Sequence, residues 1–227
     1  MLLRQNKIIK VCMLFLLYNI ITAENNKEIK KIVSDYTEFD RKNNVVNFHG
    51  NVKVYFINGS ITCDKAIYDE KNGKLSCESN IFFIYTSTTE YIEVKSSYLE
   101  YTTGQKLLKF YQDVSSIYKV YGEKQKMLFE QANLRSKKFV VDLNKKYMLA
   151  EEDVEIDLEG NKIICWVAEY DSNDNILRIN SEAETKKQLK CEFLKEEWKI
   201  KYCQADTAIV NVKDNKIVLK GNVELLF

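Results

Sequence analysis

Gly50–Asp69, GNVKVYFINGSITCDKAIYD, lies without gaps on Glu152–Asp171, EDVEIDLEGNKIICWVAEYD. In that register Val52 meets Val154, Val54 meets Ile156, Ile61 meets Ile163, Cys63 meets Cys165 and Ala66 meets Ala168. Tyr68-Asp69 meets Tyr170-Asp171. Asp64–Ile81 lies equally well on Asp206–Val223, and weaker copies occupy Lys74–Gly104 and Leu107–Phe139. The unit is roughly 30 residues long, copied about five times with a final half, and a period of that length marks a repeat architecture.

Within a unit the apolar residues alternate. Val46, Phe48, Gly50, Val52, Val54 and Phe56 share one parity, Leu75, Cys77, Ile81, Phe83 and Tyr85 share that of another unit, and Ile61, Cys63 and Ile67 belong to the partner strand. Period two is the spacing of a half-buried strand, not of a helix. Turn residues separate the runs: Lys42-Asn43-Asn44, Asn58-Gly59, Lys71-Asn72-Gly73, Glu159-Gly160-Asn161, Ser172-Asn173-Asp174-Asn175 and Asp214-Asn215. Asn and Gly accept the positive φ of tight hairpins, so each unit predicts an up-and-down pair of strands. Glu182–Trp198 is rich in helix formers and is the stretch least committed to a strand. Proline is absent, which leaves the sheet edges without one common guard. The fold class expected is all-β, an antiparallel meander.

Met1–Ala23 has the pattern of a secretory signal: basic Arg4, Lys7 and Lys10, an apolar run from Val11 to Ile21, and Ile21-Thr22-Ala23 before Glu24. Cleavage after Ala23 is the preferred reading because the run is short for a bilayer span. An uncleaved anchor over Ile8–Ile21 has much the same appearance. The domain reading is thus a leader over 1–23 and one β domain over 24–227. Losing Arg4, Lys7 and Lys10 takes the 34 basic residues to 31, against 33 acidic ones. Such a neutral balance does not point to nucleic acid.

Cys63, Cys77, Cys165, Cys191 and Cys203 remain after the leader. An odd number with no CxxC spacing argues against a disulfide-built scaffold. A bridge between some pair, such as Cys191 with Cys203, stays open in an oxidising compartment. The lone histidine, His49, has no Cys or carboxylate cluster at zinc spacing around it. There is no GxSxG elbow and no GxxxxGK[ST] loop. Asp64, Asp69, Asp171 and Asp206 recur near turns, where aspartate is a habitual residue. The expectation is a protein that is not an enzyme and uses no cofactor or metal.

These residues, taken together, resemble the LptA/OstA-like bridge family of periplasmic lipopolysaccharide transport. Ser34-Asp35, Phe39-Asp40 and Val46-Asn47-Phe48-His49-Gly50-Asn51-Val52 follow that family's opening pattern of SD, LD and VxFxGNV. Its following A-D-x-A-x-Y/V element is matched over Ile61–Tyr68, with Cys63 in the small-residue place, and recurs at Ala205-Asp206-Thr207-Ala208 before Gly221-Asn222-Val223. The resemblance runs from Ile32 to Phe227 and is weakest between Leu107 and Asp142. Glu152-Asp153 stands where the pattern has Gly-Asn, and Trp166 where it has Asp.

The resemblance implies a twisted antiparallel β-jellyroll, a folded-over sheet with an apolar interior. It implies that the interior receives acyl chains of lipopolysaccharide or a related glycolipid. These pass across the periplasm from an inner-membrane complex to an outer-membrane translocon. It also implies end-to-end joining by edge-strand addition, head-to-tail homo-oligomers included, with Ile29–Asp40 and Lys216–Leu226 as the joining edges. The residues expected to line the groove are Ile32, Phe39, Val46, Phe48, Val52, Val54, Phe56, Ile61, Ile81, Phe83, Val154, Ile156 and Val223. Each methylene kept from water is worth about 0.8 kcal/mol, so a fourteen-carbon chain crossing unsheltered would cost on the order of 10 kcal/mol. Three readings follow: a released periplasmic carrier, a membrane-anchored adaptor of the same system that retains Met1–Ala23, and an envelope scaffold whose interior is simply filled.

Overall fold

The computed structural model describes residues 29–121, 130–181, 189–192, 201–211 and 216–226. The leader, Asp214-Asn215 and most of Glu182–Trp198 lie outside them. Sixteen strands follow in chain order. The first ten are β1 (Lys31–Val33), β2 (Tyr36–Asp40), β3 (Val45–Tyr55), β4 (Gly59–Asp69), β5 (Lys74–Thr86), β6 (Glu90–Thr102), β7 (Leu107–Val120), β8 (Gln131–Asp142), β9 (Tyr147–Leu158) and β10 (Asn161–Asp171). Six shorter ones complete the set: β11 (Ile176–Asn180), β12 (Leu189–Glu192), β13 (Tyr202–Ala205), β14 (Thr207–Asn211), β15 (Lys216–Lys220) and β16 (Glu224–Leu226). Among the described residues no helix occurs.

From β3 to β10 each strand pairs antiparallel with the next, as the period-two pattern predicts. All seven of these pairings slip register near mid-strand. Between the pairs His49–Lys65 and Val52–Cys63, β3 runs through Gly50 and Asn51 while β4 has only Asp64. An extra residue on one strand is a β-bulge, which bends the strand and sharpens its twist. Here the bulge residues come as left-handed pairs: Gly50-Asn51 (φ 72° and 44°), Ser79-Asn80 (62° and 51°), Gln112-Asp113 (63° and 50°), Glu152-Asp153 (63° and 52°) and Gly221-Asn222 (67° and 40°). Aligned across the sheet, they form a fold line that creases it into two leaves.

The crease explains the recurring residues. On β4 the inward positions are Ile61 and Cys63, then Ala66. On β6 they are Val94 and Ser96, then Leu99, and on β8 they are Ser136, then Phe139. The inward parity switches just after a small residue, and that residue donates around the bend. Ser34 Oγ donates to the Tyr36 carbonyl (3.0 Å), Cys63 Sγ to Lys65 (3.1 Å), Ser96 Oγ to Tyr98 (3.2 Å) and Ser136 Oγ to Lys138 (2.8 Å). On the outside of the crease the amide of Asn51 donates to Asp35 (2.8 Å), Asn80 to Asp64 (2.7 Å) and Asn222 to Asp206 (3.0 Å). Asp64 and Asp206 thus belong to the mid-strand crease and not to hairpins, which corrects the turn role expected for them. Asp69 and Asp171 do cap hairpins, accepting from the backbone N–H of Asn72 (3.0 Å) and Asn173 (2.9 Å), as Asp40 and Asp142 do.

One leaf contains β1, the part of each long strand on that side of the crease, and then β12, β13 and β16. The other contains β2, the remaining halves, and then β11, β14 and β15. The two leaves face each other across one continuous apolar core. The result is a twisted, open, folded-over antiparallel sheet, not a closed barrel.

Candidate functional site

Among the described residues, the seam between the leaves is a concave feature walled in large part by apolar side chains. Three spaces lie along it in strand order. The first, of about 170 Å³, sits between Phe56, Gly59, Phe83 and Tyr85 on one leaf and Tyr101, Leu108 and Leu143 on the other. The second, of about 220 Å³, shares Tyr85 and Leu143 with the first and opens among Ser87, Glu90, Asp142 and Tyr147. The third, of about 50 Å³, shares Met148 with the second, and Tyr118, Leu134, Ile156, Ala168 and Tyr170 complete an apolar wall around it. Between them the leaves touch. Phe83 meets Phe110 with ring centroids 5.5 Å apart, Phe56 meets Tyr101 edge-on at 5.1 Å, and Tyr118 meets Tyr170 at 5.7 Å.

The residues expected on the lining divide into three groups. Val46, Phe48, Val52, Val54, Ile61, Ile81, Phe83, Val154 and Ile156 are buried in the interior. Ile32, paired with Val54, and Phe56 are partly buried against the core. Phe39 and Val223 are 37 % and 48 % exposed, Phe39 on the terminal strand β2 and Val223 in the link between β15 and β16. Much of the second leaf's lining was missed, including Leu99, Leu108, Phe110, Phe139, Ala150, Leu177 and Ile179. The signal for it was the alternation itself, read through the parity switch at each crease.

Two phenols meet across the seam. The Tyr118 hydroxyl donates to Glu90 Oε1 (3.2 Å) within one leaf and Tyr170 donates to Asn175 Oδ1 (3.2 Å) within the other, and the ring contact crosses between the leaves. Burial, then the neighbouring Tyr170 and Glu90, pushes Tyr118 far above the ordinary phenol range. Burial likewise pushes Tyr170 up to about 12. Burial in low dielectric disfavours the phenolate, so both hydroxyls remain neutral donors. His49 packs beside Tyr36, with ring centroids 5.9 Å apart. Among the described residues no group of three or more His, Cys, Asp or Glu gathers to hold a metal ion.

A family model described as Lipopolysaccharide-assembly, LptC-related, matches residues 8–188. The chain belongs to this family. Membership of the LptC-related family supports a periplasmic location in general and a part in lipopolysaccharide assembly. The match covers all of β1–β11 and also the apolar run at Ile8–Ile21. No curated protein matches the sequence. Among solved structures, the chain is similar to LptH from Pseudomonas aeruginosa, titled the LptA homologous periplasmic component of the conserved lipopolysaccharide transport device. Identity is 12 %, with 72 % of this chain and 90 % of that one covered, at a TM-score of 0.32. The fold assignment rests instead on the strand pairing described above.

Proposed function

We propose that this LptC-related chain shelters acyl chains of lipopolysaccharide, or a related glycolipid, between its two leaves and passes them to a neighbouring β-jellyroll. The observation that carries this reading is the row of three spaces along the seam, each sharing wall residues with the next. The aliphatic and aromatic part of this lining gives affinity proportional to buried area without fixing register, so a chain can slide, while Ser87, Glu90 and Asp142 leave the middle space partly polar. The leaves part at the Phe83–Phe110 and Tyr118–Tyr170 contacts to admit it. Both ends of the sheet are open edges carrying exposed apolar residues, Val33 and Tyr36 at one and Ile217, Leu225 and Leu226 at the other, which suits edge-strand addition to partners. Transfer of this kind makes and breaks no covalent bond, so the chain needs no catalytic group.

A second reading concerns attachment. The LptC-related match includes Ile8–Ile21, which favours a chain held at the inner membrane by that run over a released carrier. Cell fractionation with N-terminal sequencing separates the two: a mature terminus near Glu24 in the soluble periplasm means release.

The carrier function is tested with a photo-crosslinking residue at Phe48, Val54 or Phe83, and at outward-facing Lys53 as control. Lipid adducts at the interior positions, with none at Lys53, are expected. Absence of adducts at all three interior sites means that the interior is a filled core and the chain a scaffold.

A further inference from the structure

All five described cysteines are buried free thiols. Four stand near one another in twos, but the two pairs differ. Cys77 has Ala66 as its cross-strand partner and meets Cys63 only across the crease, where the Cys63 thiol also donates to the Lys65 carbonyl. Cys191 on β12 and Cys203 on β13 are direct cross-strand partners. Both point inward, and each thiol shifts the titration of the other. Directly opposed residues of an antiparallel pair stand about 4.5–5.5 Å apart at Cα, and a disulfide spans about 4.4–6.8 Å. Cys165 on β10 is also near Cys191. Its strand pairs with β12 through Ile163 opposite Cys191, so Cys165 is diagonal to Cys191. Diagonal neighbours are about 7–8 Å apart, beyond that range.

We propose that Cys191 and Cys203 form a cross-strand disulfide that staples the distal end of the first leaf. The inference rests on the periplasmic reading, because only an oxidising compartment sustains such a bond. The position suits a staple. β12 and β13 are four residues each and β16 three, and β12 joins the rest of the sheet through only three pairs with β10.

In the reaction, the Cys203 thiolate attacks a disulfide of an oxidised dithiol protein and releases one thiolate of that oxidant. Cys191, having lost its proton, then attacks the Cys203 sulfur of the mixed disulfide and releases the second thiolate. Two thiols thus lose two protons and two electrons, and the oxidant is reduced to a dithiol. Because both sulfurs are buried once β12, β13 and β16 are in place, the exchange belongs to folding after export.

The test has two arms on the full-length chain. In the first, protein from cell envelopes is prepared without reductant, blocked with iodoacetamide under denaturing conditions, and mapped by mass spectrometry. A linked peptide pair carrying Cys191 and Cys203 is expected, and in Cys203→Ser the Cys191 thiol becomes alkylated. In the second, purified reduced protein is equilibrated with oxidised glutathione. The same bridge is expected, raising Tm by roughly 5–10 °C for a closed loop of about a dozen residues. Cys203→Ser should show no such rise. A bridge in glutathione but alkylated thiols in cells overturns the periplasmic reading, and with it the disulfide in vivo. Alkylated Cys191 and Cys203 in both arms, or a bridge from Cys191 to Cys165, overturns the pairing itself.

Discussion

A Cβ built on Gly50 would lie 2.6 Å from Asp35 Oδ2, and one on Gly221 would collide with the Asp206 carboxylate. Both glycines also hold φ near +70°. The Gly-Asn dipeptide therefore answers two demands at once, a left-handed backbone and room for the aspartate to which the following Asn donates. Ser79 holds φ 62° with a side chain, so backbone conformation alone does not exclude other residues. Gly50→Ala is expected to cost about 1–3 kcal/mol, the range for a strained left-handed position. Adding Asp35→Ala should recover only the steric share. Urea melts of the two variants decide this, and an unchanged midpoint for Gly50→Ala would contradict the crowding. The small inward residue beside the crease makes a separate claim. Ser136→Ala removes the donor to the Lys138 carbonyl and should cost about 1 kcal/mol, whereas Cys63→Ser keeps a donor of similar size and should stay within roughly 0.5 kcal/mol of the parent. Equal losses for the two, in the same melts, would mean that the bend does not use that hydrogen bond.

At the scale of the strand, the repeat has diverged by exchanging partners across the crease. In three units an aspartate accepts from the amide of an asparagine sixteen residues later, as Asp35 does from Asn51. In β8 and β9 the same two places hold Lys137 and Asp153, 2.7 Å apart, and Lys138 pairs with Glu152 beside them. With no aspartate crowding the bulge, Glu152 can occupy the glycine place. Lys137→Asp alone puts two carboxylates together and should lower the urea midpoint in low salt, while Lys137→Asp with Asp153→Asn should recover most of the loss. A double-mutant cycle by urea denaturation checks the coupling, and additive effects would show that the two places are independent. This exchange also explains what was legible in the sequence. Alternation and Asn/Gly turns predicted the strands, and the ungapped copies at Gly50–Asp69 and Glu152–Asp171 predicted the unit. The crease was not legible, because Gly-Asn, Gln-Asp and Glu-Asp share a left-handed bulge without sharing a residue pattern. The turn role given to Asp64 and Asp206 failed for the same reason: aspartate suits both a hairpin and a crease.

Across the whole molecule, the lining was legible where one parity runs unbroken, as from Val46 to Phe56 on β3, and illegible where it switches, as between Ser96 and Leu99. The contact between leaves was beyond any local pattern, since Tyr118 and Tyr170 come from strands that are not neighbours. Those two phenols give the seam a measurable closure. Phenols of the unfolded chain lose their protons near pH 10, whereas Tyr170 holds its own to about 12 and Tyr118 holds its proton higher still. Between those values the folded state binds more protons than the unfolded one, so stability must fall as pH rises above about 10. Replacing both residues by Phe removes the two titrations together with their hydrogen bonds. The double variant should be about 1–2 kcal/mol less stable than the parent near pH 8. It should also lose less of its remaining stability on going to about pH 11. Urea midpoints at the two pH values measure both effects. If the leaves part along this line to admit an acyl chain, the same variant should also give more lipid adduct at Phe83 at neutral pH. A parallel decline with pH in parent and variant would mean that the hydroxyls are reached by solvent, and that the leaves are not closed there.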